Sequence, residues 1–350
     1  MKKSALVICL ILLMVFLSCC ANNNVENSSQ INSQNSNTIL TIKDYFNYVS
    51  NTKYVYEGQG NEYASYTVFV DYIDNNRVQI RTNNGGTELV NVLENKNGVL
   101  AVVLSRGECY YRENLTGSPI ENEEILLKEP LVKGTEWTLS DNRKRYISNV
   151  NIDITTPMGK YKAIEVTTEG NQDKTLDYYA KNIGLIKSVF VSGDNEISST
   201  LIKIQSNTPL IQNIKFYYPN VFEDKIYFTN KQISFNTNDI TKIIIENAFK
   251  DLTNEKFGKV LSTNAKIKSL YLNKDNKVYI DFTKELISEM NAGSGYESMI
   301  LQSITNTLGQ YYGVDKVYLT VEGSEYSSGH ILMNKGEFFT VNLQNCFELK

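Results

Sequence analysis

One histidine in 350 residues, His330, leaves no His-rich metal centre to be built. Cysteine is nearly as scarce, with five in all. Cys109 and Cys346 lie too far apart to make a disulfide framework, and both are expected as buried free thiols, with a single bridge between them as the lesser alternative. Positive charge is also short: 35 Lys and Arg face 39 Asp and Glu, a net charge of −4. Losing Lys2 and Lys3 with a cleaved leader takes that to −6. This balance argues against nucleic acid as a partner, and against electrostatic capture by anionic lipid. The apolar run at residues 5–17 is too short to span a bilayer. As a helix it rises about 20 Å, against a hydrocarbon core of ~30 Å, and no basic stop-transfer cluster follows.

Behind Lys2 and Lys3, that run reads as an export signal. It ends in Phe16-Leu17-Ser18-Cys19-Cys20, which resembles a bacterial lipobox. The resemblance implies cleavage before a cysteine whose thiol takes diacylglycerol. Cys19 follows the small Ser18 and is the expected lipid attachment; Cys20, with Leu17 three positions back, is the alternative. Two acyl chains anchor a protein stably where one does not. Residues 1–18 are thus expected as signal peptide and 19–37 as a tether. Its "ANNNVENSSQINSQNSN" has almost nothing apolar to bury and spans roughly 20 Å as a flexible chain. The expected location is the extracytoplasmic face of a cell membrane.

The remainder exceeds what one core usually organises, so two domains are expected, 38–207 and 208–345. The first reads as antiparallel β. Apolar-rich runs at 67–73, 77–82, 88–93 and 99–104, the second alternating cleanly, are spaced by Asn- and Gly-rich turns, and 151–155, 161–167, 175–180 and 185–191 repeat the pattern. A short helix is expected before them, with Thr41 and Asp44 as a capping box and Ile42, Tyr45, Phe46 and Val49 on one side. The second domain is mixed. Strands are expected at 215–218, 225–228, 265–272, 277–282 and 317–321. One helix, 238–252, carries an Ile240, Ile243, Ile244, Ala248, Leu252 stripe. Another, starting at a Ser294/Glu297 capping box, buries Met299, Ile300, Ser303, Ile304, Thr307, Leu308 and Tyr311 and stops at Gly313. The expected class is α+β, with two helices on one face of a small sheet.

In this second part "VYIDFTKELI" (278–287) and "GSGYESMILQSITNTLGQYYGVDKVYLTVEG" (293–323) resemble the core motifs of the sporulation and spore-germination domain, GerMN. "IKFYYPN" (214–220), "EDKIYF" (223–228) and Gly329-His330-Ile331 resemble its leading strands and closing loop. One departure is a stretch without proline, "DLTNEKFGKVLSTNAKIKS". The resemblance implies an α/β fold of the ring-building type, an extracytoplasmic and often lipid-anchored protein, and protein–protein assembly rather than catalysis.

Candidate chemistry is thin. His330 has no partnered nucleophile nearby and reads as a structural loop residue. Asp281, between Ile280 and Phe282, is a catalytic candidate on paper and a turn or cap acceptor on the simpler reading. Glu121, Glu123 and Glu124 lack the Asp/Asn-Gly pattern of a calcium loop. Gly293-Ser294-Gly295 lacks the lysine and span of a P-loop, and the sequon at Asn114 is read as chance. Tyrosine, 23 in all, fits packing in strands before it fits glycan stacking or an interface.

The chain is therefore expected to be no enzyme and to need no cofactor. Its expected partners are the membrane through the anchor, other sporulation or envelope proteins, and further copies of itself. The expected docking surface is the strand edge at Val317, Tyr318 and Leu319 with the helix face carrying Gln302 and Asn306. The alternative is an envelope lipoprotein binding a ligand or glycan in its first domain. That reading requires a cavity lined by Tyr and Phe.

Overall fold

The computed structural model describes residues 40–349; the expected signal, tether and lipid cysteines lie outside them. Residues 40–205 form one twelve-stranded sheet: β1 Lys53–Gln59, β2 Tyr66–Asp74, β3 Arg77–Asn83, β4 Glu88–Lys96, β5 Val99–Arg106, β6 Glu124–Lys128, β7 Glu136–Thr138, β8 Lys144–Thr156, β9 Gly159–Glu169, β10 Asp173–Ala180, β11 Gly184–Ser192 and β12 Asn195–Gln205. Each strand pairs antiparallel with its chain neighbour, except that β6 and β7 do not pair and β12 returns to pair with β1. The turns explain the meander. Asn97 (φ 53°) and Gly98 (φ 71°) both take the left-handed backbone that a tight hairpin between twisted strands needs.

The sheet curls until its two edges meet at a seam held by side chains. Trp137 Nε1 on β7 and Arg145 Nη1 on β8 both donate to Ile125 O on β6, at 3.0 and 2.7 Å. The inward faces make a core that includes Val68, Val78, Leu93, Leu127, Ile147, Val166, Ile186 and Leu201. The expected leading helix is only a 3₁₀ turn, Ile42–Asp44. The Asp44 carboxylate does accept from Thr41 N at 2.9 Å, but the chain then runs extended, because Tyr45, Phe46 and Tyr48 are drawn into the barrel mouth.

After β12 the organisation changes. β13 Leu210–Asn220 and β14 Lys225–Phe235 form a hairpin far longer than expected, to which β20 (Cys346–Glu348) adds in parallel. Pro219 is tolerated because β13 is an edge strand. A second sheet runs β15 Ile267–Leu272, β16 Val278–Phe282, β17 Lys316–Val321 and β18 Ser324–Glu325, with β19 Phe339–Thr340 also on β17. The expected single small sheet is thus two. Helices α1 (Thr241–Lys250), α2 (Glu285–Ser288) and α3 (Ser294–Tyr312) complete it. α3 connects the parallel pair β16 and β17 and packs on β13.

The buried stripe of α1 is rotated from the expected one. Ala248 is buried and Ile244 partly so, as expected, but Ile240, Ile243 and Leu252 are exposed, and Ile245 and Phe249 complete the buried face. Phe249 meets Phe216 of β13 edge to face, with centroids 5.1 Å apart. α3 is buried on more sides than an amphipathic helix should be. Besides Ile300, Ile304 and Leu308, it buries Thr305 and Asn306, because the C-terminal segment crosses it. Gly309 permits that crossing: a Cβ there would lie 2.2 Å from Val341 Cγ2. Gly313 (φ +69°) caps the helix as expected.

The two parts form one compact unit, and polar groups join them. The loop between β5 and β6 carries Arg112 into the joint, where it is 1% exposed. Its guanidinium donates to Asp71 O and Asn236 O at 2.8 and 2.9 Å, to Asp239 O, and to Tyr72 Oη at 2.8 Å. Its backbone N–H donates to Tyr311 Oη of α3 at 2.9 Å. Arg81 pairs with Asp71 at 3.1 Å and Glu88 at 2.8 Å, so two buried cations face two carboxylates.

Candidate functional site

The residues expected to dock partners do not share a free surface. Val317, Leu319 and Asn306 are buried. The edge of β17 is closed on both sides, by β16 and by β18 with β19. Asn306 serves the fold: its Nδ2 donates to Asn342 O at 2.7 Å, and its Oδ1 accepts from Asn342 N at 2.9 Å and from Gln302 at 2.8 Å. Gln302 also donates to Thr340 O at 3.1 Å. These polar helix residues looked like a wet face because the strand that covers them comes thirty-odd residues later. That part of the expectation is corrected.

Tyr318 alone keeps a place on an outer face, and it has company. Strand alternation turns Val317 and Leu319 inward and Tyr318 outward. The register sets Tyr271 opposite Tyr279 and Tyr279 opposite Tyr318. Their rings form a strip across β15, β16 and β17, with centroids 5.6 and 4.9 Å apart. Tyr279 Oη donates to Asp275 at 3.0 Å and Tyr318 Oη to Glu325 at 3.3 Å, which fixes the rings. Phe338 extends the strip, with Lys277 and Lys316 over its ring at 5.6 and 4.9 Å. A rigid row of tyrosines with hydroxyls and lysines at its margin is suited to protein contact. The signal in the sequence was the shared parity of the three tyrosines, readable only with the register known.

His330 does have a partner. Its Nδ1 lies 2.8 Å from Glu297 Oε2, and Tyr326 Oη donates to Glu297 Oε1 at 2.7 Å. The expected Ser294/Glu297 capping box is absent. The helix begins at Ser294 with Gly293 as N-cap, which puts Glu297 one position too late. Burial opposes ionisation of Glu297, but the bonds from Ser328, Tyr326 and His330 outweigh it and hold its carboxyl below the ordinary value. Ser328 Oγ also accepts from the amides of His330 and Ile331, at 3.1 and 3.0 Å. The trio ties the loop after β18 to the start of α3.

The other candidates are structural. Asp281 Oδ1 accepts from Thr320 Oγ1 at 2.7 Å and Gly323 N at 2.8 Å, clamping β16 to β17 and its turn. Glu121 pairs with Arg106 at 2.5 Å and Glu124 with Arg145 at 2.8 Å. Among the described residues no acidic, His or Cys cluster is arranged for a metal ion. Asn114 Oδ1 accepts from Thr116 N and Oγ1. Cys109 is buried and Cys346 half-buried, both unbridged.

The architecture is that of a β-barrel joined to an α+β module, and comparison with known proteins bears on the module. Residues 215–327 match the Germane family, described as sporulation and spore germination. The chain is similar to the tandem GerMN domains of the sporulation protein GerM from Bacillus subtilis, at 20% identity and TM-score 0.28, covering 36% of this chain and 45% of that one. The first GerMN domain of GerM alone gives 20% identity and TM-score 0.28, over 37% of this chain and 97% of that one. A candidate exported protein with a YmcC-like fold from Bacteroides fragilis is 11% identical, with TM-score 0.30, over 46% of this chain and 99% of that one. The chain thus spans less than half of the tandem protein. No curated protein matches it. None of the described helices is long and apolar enough to cross a membrane.

Proposed function

We propose that this chain is a lipid-anchored protein of the extracytoplasmic face that acts in spore formation or germination by protein–protein assembly, without catalysing a reaction. The observation that carries the reading is the Germane match over residues 215–327. The lipobox-like Ser18-Cys19-Cys20 supports the anchor. In this reading Tyr271, Tyr279 and Tyr318 form the docking strip, and the buried Arg112 joint ties the barrel to the module behind it. Confinement to a surface by a short tether raises effective concentration, so modest contacts with envelope proteins or further copies suffice.

The test is the yield of heat-resistant spores from a strain lacking the protein, complemented by wild type or by Cys19→Ser/Cys20→Ser. A fall that only wild type restores supports both anchor and role. An unchanged yield in the deletion strain overturns the reading.

A further inference from the structure

The barrel is not filled. Its inward faces enclose a cavity of about 340 Å³, within the range of ligand pockets, roughly 300–1,000 Å³. Side chains from β1 to β6, β8, β10 and β11 line it, and Tyr45, Phe46 and Tyr48 close over one side. The closing segment is pinned: Asn182 N donates to Asp44 O at 2.6 Å, Ile42 N to Glu129 Oε1 at 2.8 Å, and Tyr54 Oη to Asn47 O at 3.1 Å. Most of the wall is apolar or aromatic. Tyr56 and Tyr66 stack at 4.5 Å, and Phe46 meets Tyr48 edge to face at 5.5 Å. A cavity lined by Tyr and Phe is what the ligand-binding alternative required.

Its polar groups define a sign. Each nitrogen of Arg145 is engaged by the protein: Nε donates to Thr168 Oγ1 at 2.6 Å, Nη1 to Ile125 O at 2.7 Å and Nη2 to Glu124 at 2.8 Å. Its charge is therefore matched by Glu124 at the rim. Deeper in, the Asp177 carboxylate has one near bond, from Ser188 Oγ at 2.6 Å, and no cation within ion-pair distance among the described residues. Burial pushes its carboxyl above the ordinary value. Asn91 Oδ1 is buried with no hydrogen-bond partner. The cavity thus offers two acceptors and a net excess of carboxylate, Asp177 and Glu124 against Arg145, among aromatic rings, whose faces attract cations. An anion would meet Asp177, and a purely apolar guest would leave Asn91 Oδ1 unpaired and Asp177 with its Ser188 bond alone.

We propose that the barrel cavity binds a small organic cation, an ammonium group on an aliphatic or aromatic body, its head at Asp177 and Asn91 and its body among Tyr48, Tyr56, Tyr66 and Tyr179. The proposal is independent of the assembly reading, since it concerns the barrel alone. Calorimetric titration of the full chain with octylammonium, octanol and octanoate, each below its micellar or solubility limit, tests it. The cation is expected to bind at least tenfold more tightly than either of the others. The near-isosteric Asp177→Asn should remove that preference while leaving octanol affinity unchanged. Equal or tighter binding of octanol or octanoate by the wild type overturns the proposal, as does absence of cation binding or a preference that survives Asp177→Asn.

Discussion

Replacing Arg112 with methionine tests whether the joint makes one body of two parts. The side chain is 1% exposed and bonds the carbonyls of Asp71, Asn236 and Asp239 and the Tyr72 hydroxyl. Methionine keeps much of the volume but strands these acceptors, and leaves Asp71 with Arg81 alone. Removing one partner of a buried ionic network costs about 3–5 kcal/mol, a large share of the roughly 5–15 kcal/mol that holds a domain folded. The loss should fall on the coupling between the parts, since each keeps its own core. Trp137 is the sole tryptophan and sits at the barrel seam, so its fluorescence follows the barrel, whereas circular dichroism at 222 nm follows the helices α1 and α3. In urea the wild type should show coincident transitions by the two probes, and Arg112→Met two separated ones with at least one at lower urea. Coincident and unshifted midpoints in the variant would refute the reasoning.

Three further outcomes are expected. Ile245→Ala should destabilise by about 2–4 kcal/mol, as a buried large-to-small change does, while Ile243→Ala on the same helix should stay within about 0.5 kcal/mol; urea midpoints that rank them otherwise contradict the phase assigned to α1. Glu297→Gln should lower the melting temperature at neutral pH. Because the folded Glu297 carboxyl lies below its ordinary value, its contribution is complete above the unfolded value, about 4.3, and is lost as pH falls through the folded one. Melting curves of wild type and variant should therefore converge in acid, and a pH-independent gap would count against the trio. Leu319→Asp, which buries an unpaired charge, should abolish folding, whereas Tyr318→Lys on the opposite face of the same strand should leave circular dichroism and melting nearly unchanged; equal damage from both would deny Tyr318 its surface position.

Much of this fold was readable where the information is local. β2 to β5 follow from short apolar-rich runs separated by Asn- and Gly-rich turns, and the change of organisation after Gln205 follows from a break in that pattern. What escaped depends on distant chain. The Ile243-Ile244-Ile245 run is apolar on every side, so only contact with Phe216 decides which face is buried. Glu297 sits in plausible capping spacing from Ser294, but His330 and Tyr326 compete for it. Gln302 and Asn306 look like solvent-facing residues until residues 339–349 are laid across α3. Arg112, in an unremarkable polar loop, became the pivot of the joint, and the cavity was hidden because tyrosines facing a void and tyrosines packed in a core have the same spacing. The docking strip needed a register that joins β16 to β17 across the whole of α3.

The central claim is that an anchored, folded module presents the tyrosine strip to partners during sporulation. The most direct measurement is the heat-resistant spore yield of the deletion strain complemented with Tyr279→Lys/Tyr318→Lys, after surface abundance and melting temperature are matched to wild type. A yield as low as that of the deletion strain is expected. Full restoration by the double variant would contradict the assignment of this face.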